Sequence, residues 1–193
     1  MKILILCDRD SEQYYDQDLR SLVQKVVQET GSEVNTVVLN GDEIQPCKGC
    51  FQCWIKTPGL CTINTDCANE VSRLEIRSDA VILLSRITYG GYSYDIKSFL
   101  DRSIPNISPF FEIVKNEMRH KMRYERFPNV ITIGYGACSQ KEQQTFIGLT
   151  ERNALNMRPP KHFVLIMKKP DEINEALGSL KNTLSTLVQE VQR

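Results

Sequence analysis

The sequence predicts a single α/β domain in which a five-stranded parallel sheet carries helices on both faces, an arrangement of three layers. Short apolar runs alternate with longer amphipathic segments along the 193 residues. The runs are continuously apolar, as expected of strands that are buried on both faces. Strands that alternate with helices favour parallel pairing through right-handed crossovers. No linker or repeat divides the chain, so residues 1–193 are predicted to form one domain.

The first part of the chain supplies two strands and the helix between them. Residues 2–7 are aliphatic and residues 33–39 are rich in β-branched side chains, so both segments are predicted to be strands. Residues 18–30 repeat apolar side chains at helical spacing and stop at Gly31, a residue type that commonly ends helices.

The remaining elements continue this alternation. Residues 66–77 carry apolar side chains on one helical face and lead into an apolar strand at residues 80–85. Ser93 is a residue type that caps helices, and the helix predicted after it turns Ile96 and Phe99 inward. The last predicted elements are a strand at 130–134, a helix at 141–156, a strand at 162–167 and a helix at 172–191.

Two segments fall outside the alternation. One is rich in cysteine and covers residues 46–67, and the other is predicted to be an insertion at about residues 104–129. The apolar side chains at 109–111 of the insertion predict a homo-oligomer, because association would bury them. Ligands of open parallel sheets bind at the carboxyl ends of the strands. Function is therefore expected in the loops after the first, third and fourth strands.

Composition and charge exclude several classes of partner. Lys+Arg is 24 and Asp+Glu is 24, so no net charge draws the protein to nucleic acid or to a membrane surface. The chain shows no signal-peptide pattern and no apolar stretch long enough to span a bilayer, so a cytoplasmic location is expected. Seven cysteines, four of them between positions 47 and 61, do not resemble a secreted disulfide framework.

Two motifs resemble a known protein family. Residues 89–93 read YGGYS, and residues 46–61 read PCKGCFQCWIKTPGLC. Both segments are similar to segments of the flavodoxin-like NADPH-dependent FMN reductases, the second to a cysteine-rich KTPG subgroup related to iron–sulfur flavoproteins. The resemblance implies a flavodoxin-like fold, FMN as cofactor and NAD(P)H as electron donor.

The resemblance also implies which loops hold the flavin. Paired glycines let a backbone approach a flat ligand closely and free its amide groups for hydrogen bonding. The residues expected at the flavin ring are Thr88, Tyr89, Gly90, Gly91 and Tyr92, joined by Tyr135 and Gly136 from the loop after the fourth strand. Arg9 and Ser11 are expected at the phosphate. No residue is assigned as catalytic.

The loop after the first strand departs from the family's pattern. The family usually has Gly-Ser-Pro-Arg at this point, whereas residues 8–11 here read DRDS. Phosphate binds to free backbone amides and positive potential at a helix N-terminus, and the carboxylates of Asp8 and Asp10 oppose both. FMN is therefore expected to bind more weakly than in relatives that keep the family's loop.

The cysteine-rich segment permits three interpretations. Four thiolates, at Cys47, Cys50, Cys53 and Cys61, are enough to ligate a [4Fe–4S] cluster, and their spacing resembles the motif of iron–sulfur flavoproteins. A tetrahedral zinc site is chemically feasible but usually shows two separated cysteine pairs. The third interpretation is a reduced, packed loop that binds no metal.

The function predicted from these observations is an FMN-dependent NAD(P)H oxidoreductase that passes electrons to a small-molecule or protein acceptor. Two alternatives remain open. The first is an electron carrier that holds both FMN and an iron–sulfur cluster. The second is a relative without flavin that serves as a binding or regulatory subunit, which the acidic loop at residues 8–16 favours.

Overall fold

The chain folds around a parallel sheet, described by a computed structural model for residues 1–114 and 116–191. Its strands are β1 (Lys2–Asp8), β2 (Glu33–Leu39), β3 (Ala80–Arg86), β4 (Ile107–Val114), β5 (Glu117–Met122), β6 (Asn129–Tyr135) and β7 (His162–Met167). Five of them form the sheet in the order β2-β1-β3-β6-β7, all parallel. The predicted five-stranded parallel sheet is confirmed.

Helices cover both faces of the sheet. They are α1 (Leu19–Glu29), α2 (Gln52–Ile55), α3 (Ala68–Arg77), α4 (Tyr94–Asp101), α5 (Gln140–Met157) and α6 (Ile173–Val191). One core cluster joins α1 and α6 to alternate side chains of β1, such as Ile3 and Ile5. A second cluster joins α3, α4 and α5 to the opposite side chains, such as Leu4 and Leu6. This alternation buries β1 on both faces, as its continuous apolar run predicts.

Element boundaries agree with the sequence prediction to within two residues. The predicted strand at 33–39 coincides with β2, and the predicted helix at 18–30 becomes α1 with Asp18 as its cap. The Asp18 carboxylate accepts a hydrogen bond from Ser21 N at 3.0 Å. Ser139 caps α5 in the same manner, with Glu142 bonding back to complete a capping box.

The insertion forms an antiparallel hairpin that the sequence analysis did not assign as strands. Strand β4 pairs with β5 so that Phe111 lies opposite His120 and Ile113 lies opposite Met118. Phe111, Ile113 and Met118 are exposed on one face of the hairpin. Pro109 and the many charged residues of this segment obscure the alternation of apolar and polar side chains that would indicate strands.

Strand order brings three loops to one edge of the sheet. β1 pairs with β3 and β3 pairs with β6, so their carboxyl ends at Asp8, Arg86 and Tyr135 are neighbours. A backbone hydrogen bond from Ile87 N to Tyr135 O, 2.8 Å long, joins the loop after β3 to the end of β6. Among the described residues, no helix has the length and apolar character needed to cross a membrane.

Candidate functional site

Asp8 lies at the centre of the hydrogen bonds that join the carboxyl ends of β1, β3 and β6, an edge of the sheet that we call the carboxyl edge. Its side chain is buried and accepts hydrogen bonds from Tyr135 Oη at 2.5 Å, Arg86 N at 2.7 Å and Ser11 N at 3.1 Å. Burial raises the pKa of Asp8, and the hydrogen bonds from Tyr135 and Arg86 oppose that rise. One carboxylate therefore ties together the ends of β1, β3 and β6.

Arg9 is held by two carboxylates. Its guanidinium donates to Asp95 through Nε at 3.1 Å and Nη2 at 3.0 Å, and to Asp42 through Nη1 at 3.1 Å. Asp95 also accepts Gly41 N at 2.8 Å. Burial alone would raise the pKa of Asp95, but the hydrogen bonds from Arg9 and Gly41 outweigh it and lower the pKa. Arg9 is thus neutralised within the protein.

Ser11 is also engaged internally. Its hydroxyl donates to Asp8 O at 2.6 Å, and its amide donates to the Asp8 carboxylate. The donors expected at a flavin phosphate therefore already bond to internal acceptors, which are carboxylates for Arg9 and the Ser11 amide and a backbone carbonyl for the Ser11 hydroxyl. In this conformation the loop after β1 does not fit a phosphate, because a dianion there would meet filled donors and nearby negative charge.

The loop after β3 presents a tight turn at its tip. Thr88 N donates to Gly91 O at 3.0 Å, and Gly91 N donates to Thr88 O at 2.9 Å. Between them, Tyr89 and Gly90 have φ angles of +51° and +75°. A Cβ on Gly90 would lie 2.9 Å from the Thr145 Cβ, so this position requires glycine. The Tyr89 side chain is 92% exposed and is free to lie against a planar ligand.

Of the three tyrosines predicted at the flavin, two are buried. Tyr92 packs edge-on against Phe146, with 5.3 Å between the ring centroids, in the core beneath α4 and α5. Tyr135 packs against Tyr14 at 5.1 Å and uses its hydroxyl on Asp8. Gly136 is also buried; it has a φ of +103° and donates its amide to Met167 O at 3.0 Å.

The four clustered cysteines surround one small cavity of about 20 Å³, which Ile104 also lines. Burial raises the pKa of Cys53, and the neighbouring Cys61 and Cys47 raise it further. The cavity volume suits a single water rather than an iron–sulfur cluster. Within residues 1–114 and 116–191, no three His, Cys, Asp or Glu side chains are placed to hold a metal ion. The segment as it stands does not fit a cluster.

Two anchors hold the cysteine-rich segment to the domain. Arg102 and Asp66 form a buried ion pair at 2.7 Å, and Arg102 also donates to Gln45 O at 2.6 Å. Trp54 Nε1 donates to Ile107 O at 3.1 Å, which joins α2 to the start of the hairpin. The Trp54 ring lies 5.3 Å from that of His120 on β5.

Solved structures share this architecture over nearly the whole chain. The NAD(P)H:quinone oxidoreductase from Methanothermobacter marburgensis superposes with a TM-score of 0.66 at 11% identity, covering 97% of this chain and 96% of that one. Oxidised flavodoxin 1 from Bacillus cereus gives 0.55 at 9% identity, covering 98% of each chain. The chain has the flavodoxin-like fold.

A further structure with this flavodoxin-like fold is an FMN-dependent NADH-azoreductase from Bacillus anthracis in complex with FMN. It gives a TM-score of 0.65 at 10% identity and covers 96% of this chain and 98% of that one.

Sequence similarity is confined to part of the chain, and no family model matches it. An iron–sulfur flavoprotein from Archaeoglobus fulgidus is 37% identical over 81 residues, which are 42% of this chain and 36% of that protein. An iron–sulfur flavoprotein from Methanosarcina thermophila is 30% identical over 80 residues, 42% of this chain and 40% of its own length. The matches span about two fifths of these relatives. The resemblance to iron–sulfur flavoproteins is confirmed over that length.

Several residues of the flavodoxin-like edge escaped the sequence analysis. Asp95 holds Arg9 from the first turn of α4, and Arg86 forms an exposed ion pair with Asp10 at 2.9 Å. The position of Asp8 directly after a continuous apolar run could have predicted a buried carboxylate that accepts hydrogen bonds from neighbouring strand ends. The partnership of Arg9 with Asp95 had no sequence signal, because 86 positions separate the two residues.

Proposed function

We propose that this protein is a flavin oxidoreductase that binds FMN non-covalently at the carboxyl edge of its sheet. NAD(P)H would be the electron donor, and a small molecule or a protein the acceptor. The observation that carries the proposal is the glycine turn of residues 88–91, with exposed Tyr89 at its tip beside the loops after β1 and β6. The names of the sequence relatives and structural neighbours support the same chemistry.

Bound FMN would supply two-electron chemistry, accepting hydride from the nicotinamide and releasing electrons to the acceptor. The chain's own contribution would be orientation. Gly90 gives the turn its left-handed backbone and packs against Thr145, and the aromatic face of exposed Tyr89 offers a surface for stacking. The phosphate would gain little from Arg9 and Ser11, because both already bond to internal acceptors.

A flavin titration tests the proposal. Gly90→Ala should weaken flavin binding by at least about tenfold, because a Cβ at this φ strains the turn and collides with Thr145. Gly178→Ala is the matched control, since nothing lies within 4 Å of its added Cβ. Fluorescence quenching of FMN and riboflavin measures the affinities, and NAD(P)H oxidation with added FMN measures turnover. Equal affinity for both variants would refute the proposed ring site.

A second candidate is a binding or regulatory subunit that has lost its flavin. The observation that favours it is the internal capture of Arg9 and Ser11 by Asp95 and Asp8. The same titration separates the candidates. A flavin oxidoreductase with a weak phosphate site binds riboflavin nearly as well as FMN, whereas a flavin-free subunit binds neither and oxidises no NAD(P)H.

The third candidate is an electron carrier with both FMN and a [4Fe–4S] cluster. The four cysteines around one cavity favour it, as do the names of the sequence relatives. The cavity would have to open to admit the cluster, so anaerobic reconstitution is the discriminating experiment. Broad iron–sulfur absorption in addition to flavin bands would select this candidate over the first.

A further inference from the structure

A larger cavity lies on the face of the sheet covered by α3, α4 and α5. Its volume is about 350 Å³, within the range of small-molecule sites. Its sheet wall includes Val130 and His162, which stand at or near the amino-terminal starts of β6 and β7. The candidate flavin site lies at the opposite, carboxyl ends of these strands. Of the residues expected at the flavin, only Tyr92 lines this cavity, so the two sites are distinct but adjacent at that side chain.

The cavity exists because α4 is short. Helix α4 ends at Asp101, and the chain then leaves the face of the sheet to build the hairpin. The carboxyl-terminal half of α5 continues to Met157, and a space remains between it and the root of the hairpin. Apolar side chains line most of this space, among them Leu83, Leu100, Ile104, Phe127 and Leu149.

Thr132 places an unsatisfied hydroxyl at this cavity. The residue is 0% exposed, and its Oγ1 has no hydrogen-bond partner of acceptable geometry among the residues that the structure describes. Tyr92 and Asn153 line the cavity beside it, and the Tyr92 hydroxyl interacts with the Thr132 hydroxyl without reaching the geometry of a full hydrogen bond. A buried hydroxyl without a partner costs free energy, and a ligand group that bonds to it would remove that cost.

Glu75 lines the same cavity and is held in place from behind. Asn106 Nδ2 donates to Glu75 Oε2 at 2.7 Å, and Ser72 Oγ donates to Asn106 Oδ1 at 2.9 Å. All three residues are buried. Burial raises the pKa of Glu75 to about 8, so the side chain is largely protonated and uncharged at neutral pH. Burial also lowers the pKa of His162, which keeps the imidazole uncharged.

Charge at this cavity is balanced. Lys97 and Asp101, one turn apart on α4, form an ion pair with each other, so neither leaves an unpaired charge facing the space. A charged ligand would lose its hydration without gaining a partner of opposite sign. The polar groups that remain are hydroxyls, amides, an uncharged imidazole and a protonated carboxyl.

We propose that this cavity binds an uncharged, largely apolar ring compound that carries one carbonyl or hydroxyl group, with the Thr132 hydroxyl as its hydrogen-bond partner. The size and apolar lining select the ring, and the unsatisfied hydroxyl selects the polar substituent. The site does not depend on flavin binding at the carboxyl edge.

A matched pair of probes tests the proposal. 2-Acetylnaphthalene carries a carbonyl, and 2-isopropenylnaphthalene replaces that oxygen with a methylene group of similar shape. Equilibrium dialysis against the full chain should show both compounds bound, with the ketone about two- to tenfold tighter, the value of one hydrogen bond. Saturating FMN should leave both affinities unchanged.

Three variants locate the binding. Thr132→Val should abolish the preference for the ketone and keep the hydrocarbon bound, with at most a small loss of thermal stability, because the hydroxyl it removes makes no full hydrogen bond. Ala154→Leu should weaken both probes at least about tenfold by filling the cavity. Thr186→Val, on α6 across the sheet, is the control and should behave as wild type.

Four outcomes would overturn the proposal. They are no binding of either probe at millimolar concentration, displacement of the probes by FMN, a ketone preference that survives Thr132→Val, and normal binding in a folded Ala154→Leu variant. The first would show that the cavity binds neither probe, the second and the last that the probes bind elsewhere, and the third that Thr132 is not the hydrogen-bond partner.

Discussion

Single residues at the carboxyl edge act mainly on one another. Asp8 accepts from three donors on three loops, and Asp95 neutralises Arg9. These contacts join residues far apart in the chain, so they stabilise the edge while they occupy groups that a ligand would need. Stability and phosphate binding therefore compete at this edge.

Replacing Asp8 tests these hydrogen bonds. Asp8→Asn should lower the free energy of unfolding by about 1–3 kcal/mol, because the new amide would face donors instead of accepting from them. Asp10→Asn is the control, since the Asp10–Arg86 pair is more than half exposed and should contribute less than about 1 kcal/mol. Urea denaturation of both variants provides the measurement. Equal losses would mean that Asp8 does not hold this central position.

Glu75 makes the stability depend on pH. Its pKa is about 8 in the fold against an ordinary value of 4.5, so the folded state binds more protons than the unfolded state between these values. The contribution of Glu75 to stability should therefore fall as pH rises from about 4.5 to 8 and level off above that, with a limiting slope of about 1.4 kcal/mol per pH unit.

Glu75→Gln isolates this contribution. Glutamine keeps an acceptor for Asn106 but does not titrate, so the variant should gain stability relative to wild type as pH increases. Denaturant unfolding of both proteins from pH 5 to pH 9 gives the difference at each pH. A difference that is constant over this range would contradict the burial of an ionisable Glu75.

At the scale of elements, the cysteine-rich segment is well anchored although its helix α2 has only four residues. The Arg102–Asp66 pair and the Trp54 indole fix both of its sides. The clustering of its thiols followed from the spacing of the cysteines in sequence. The anchors did not, because Arg102 and Asp66 are 36 positions apart.

The cluster hypothesis has a matched pair of variants. If the segment opens to bind a [4Fe–4S] cluster, anaerobic reconstitution should load about four irons per chain. Cys50→Ser should then lose the cluster, whereas Cys67→Ser should keep it, since Cys67 does not line the small cavity. Iron analysis with absorption spectra measures both. Iron-free wild type after reconstitution would favour the packed loop, and one zinc per chain would favour the zinc site.

For the whole molecule, the hairpin face of Phe111, Ile113 and Met118 predicts self-association. These side chains are exposed on adjacent strands, and a symmetric dimer would bury them. Ile113→Lys combined with Met118→Lys should shift the protein to a monomer in light scattering. Ile55→Ser is the control, because Ile55 is an exposed apolar side chain on α2, outside the hairpin. A wild-type protein that is monomeric at micromolar concentration would contradict the prediction.

The fold and its layers were predictable from the sequence because they rest on local patterns. Continuous apolar runs mark buried strands, helical spacing marks amphipathic faces, and caps such as Asp18 mark helix starts. The glycine turn at residues 88–91 was predictable for the same reason, since glycine at a positive φ is a local requirement.

Which side chains are available at the candidate sites depends on contacts between segments that are far apart in the sequence. Tyr92 and Tyr135 pack into the core, and Arg9 forms an ion pair with Asp95. The Thr132 hydroxyl lies at a cavity and lacks a full hydrogen-bond partner among the described residues. Each outcome reflects which side chains the packed sheet brings together across tens of residues. No local sequence pattern predicts which of these side chains meet, because their contacts depend on strand order and helix length together.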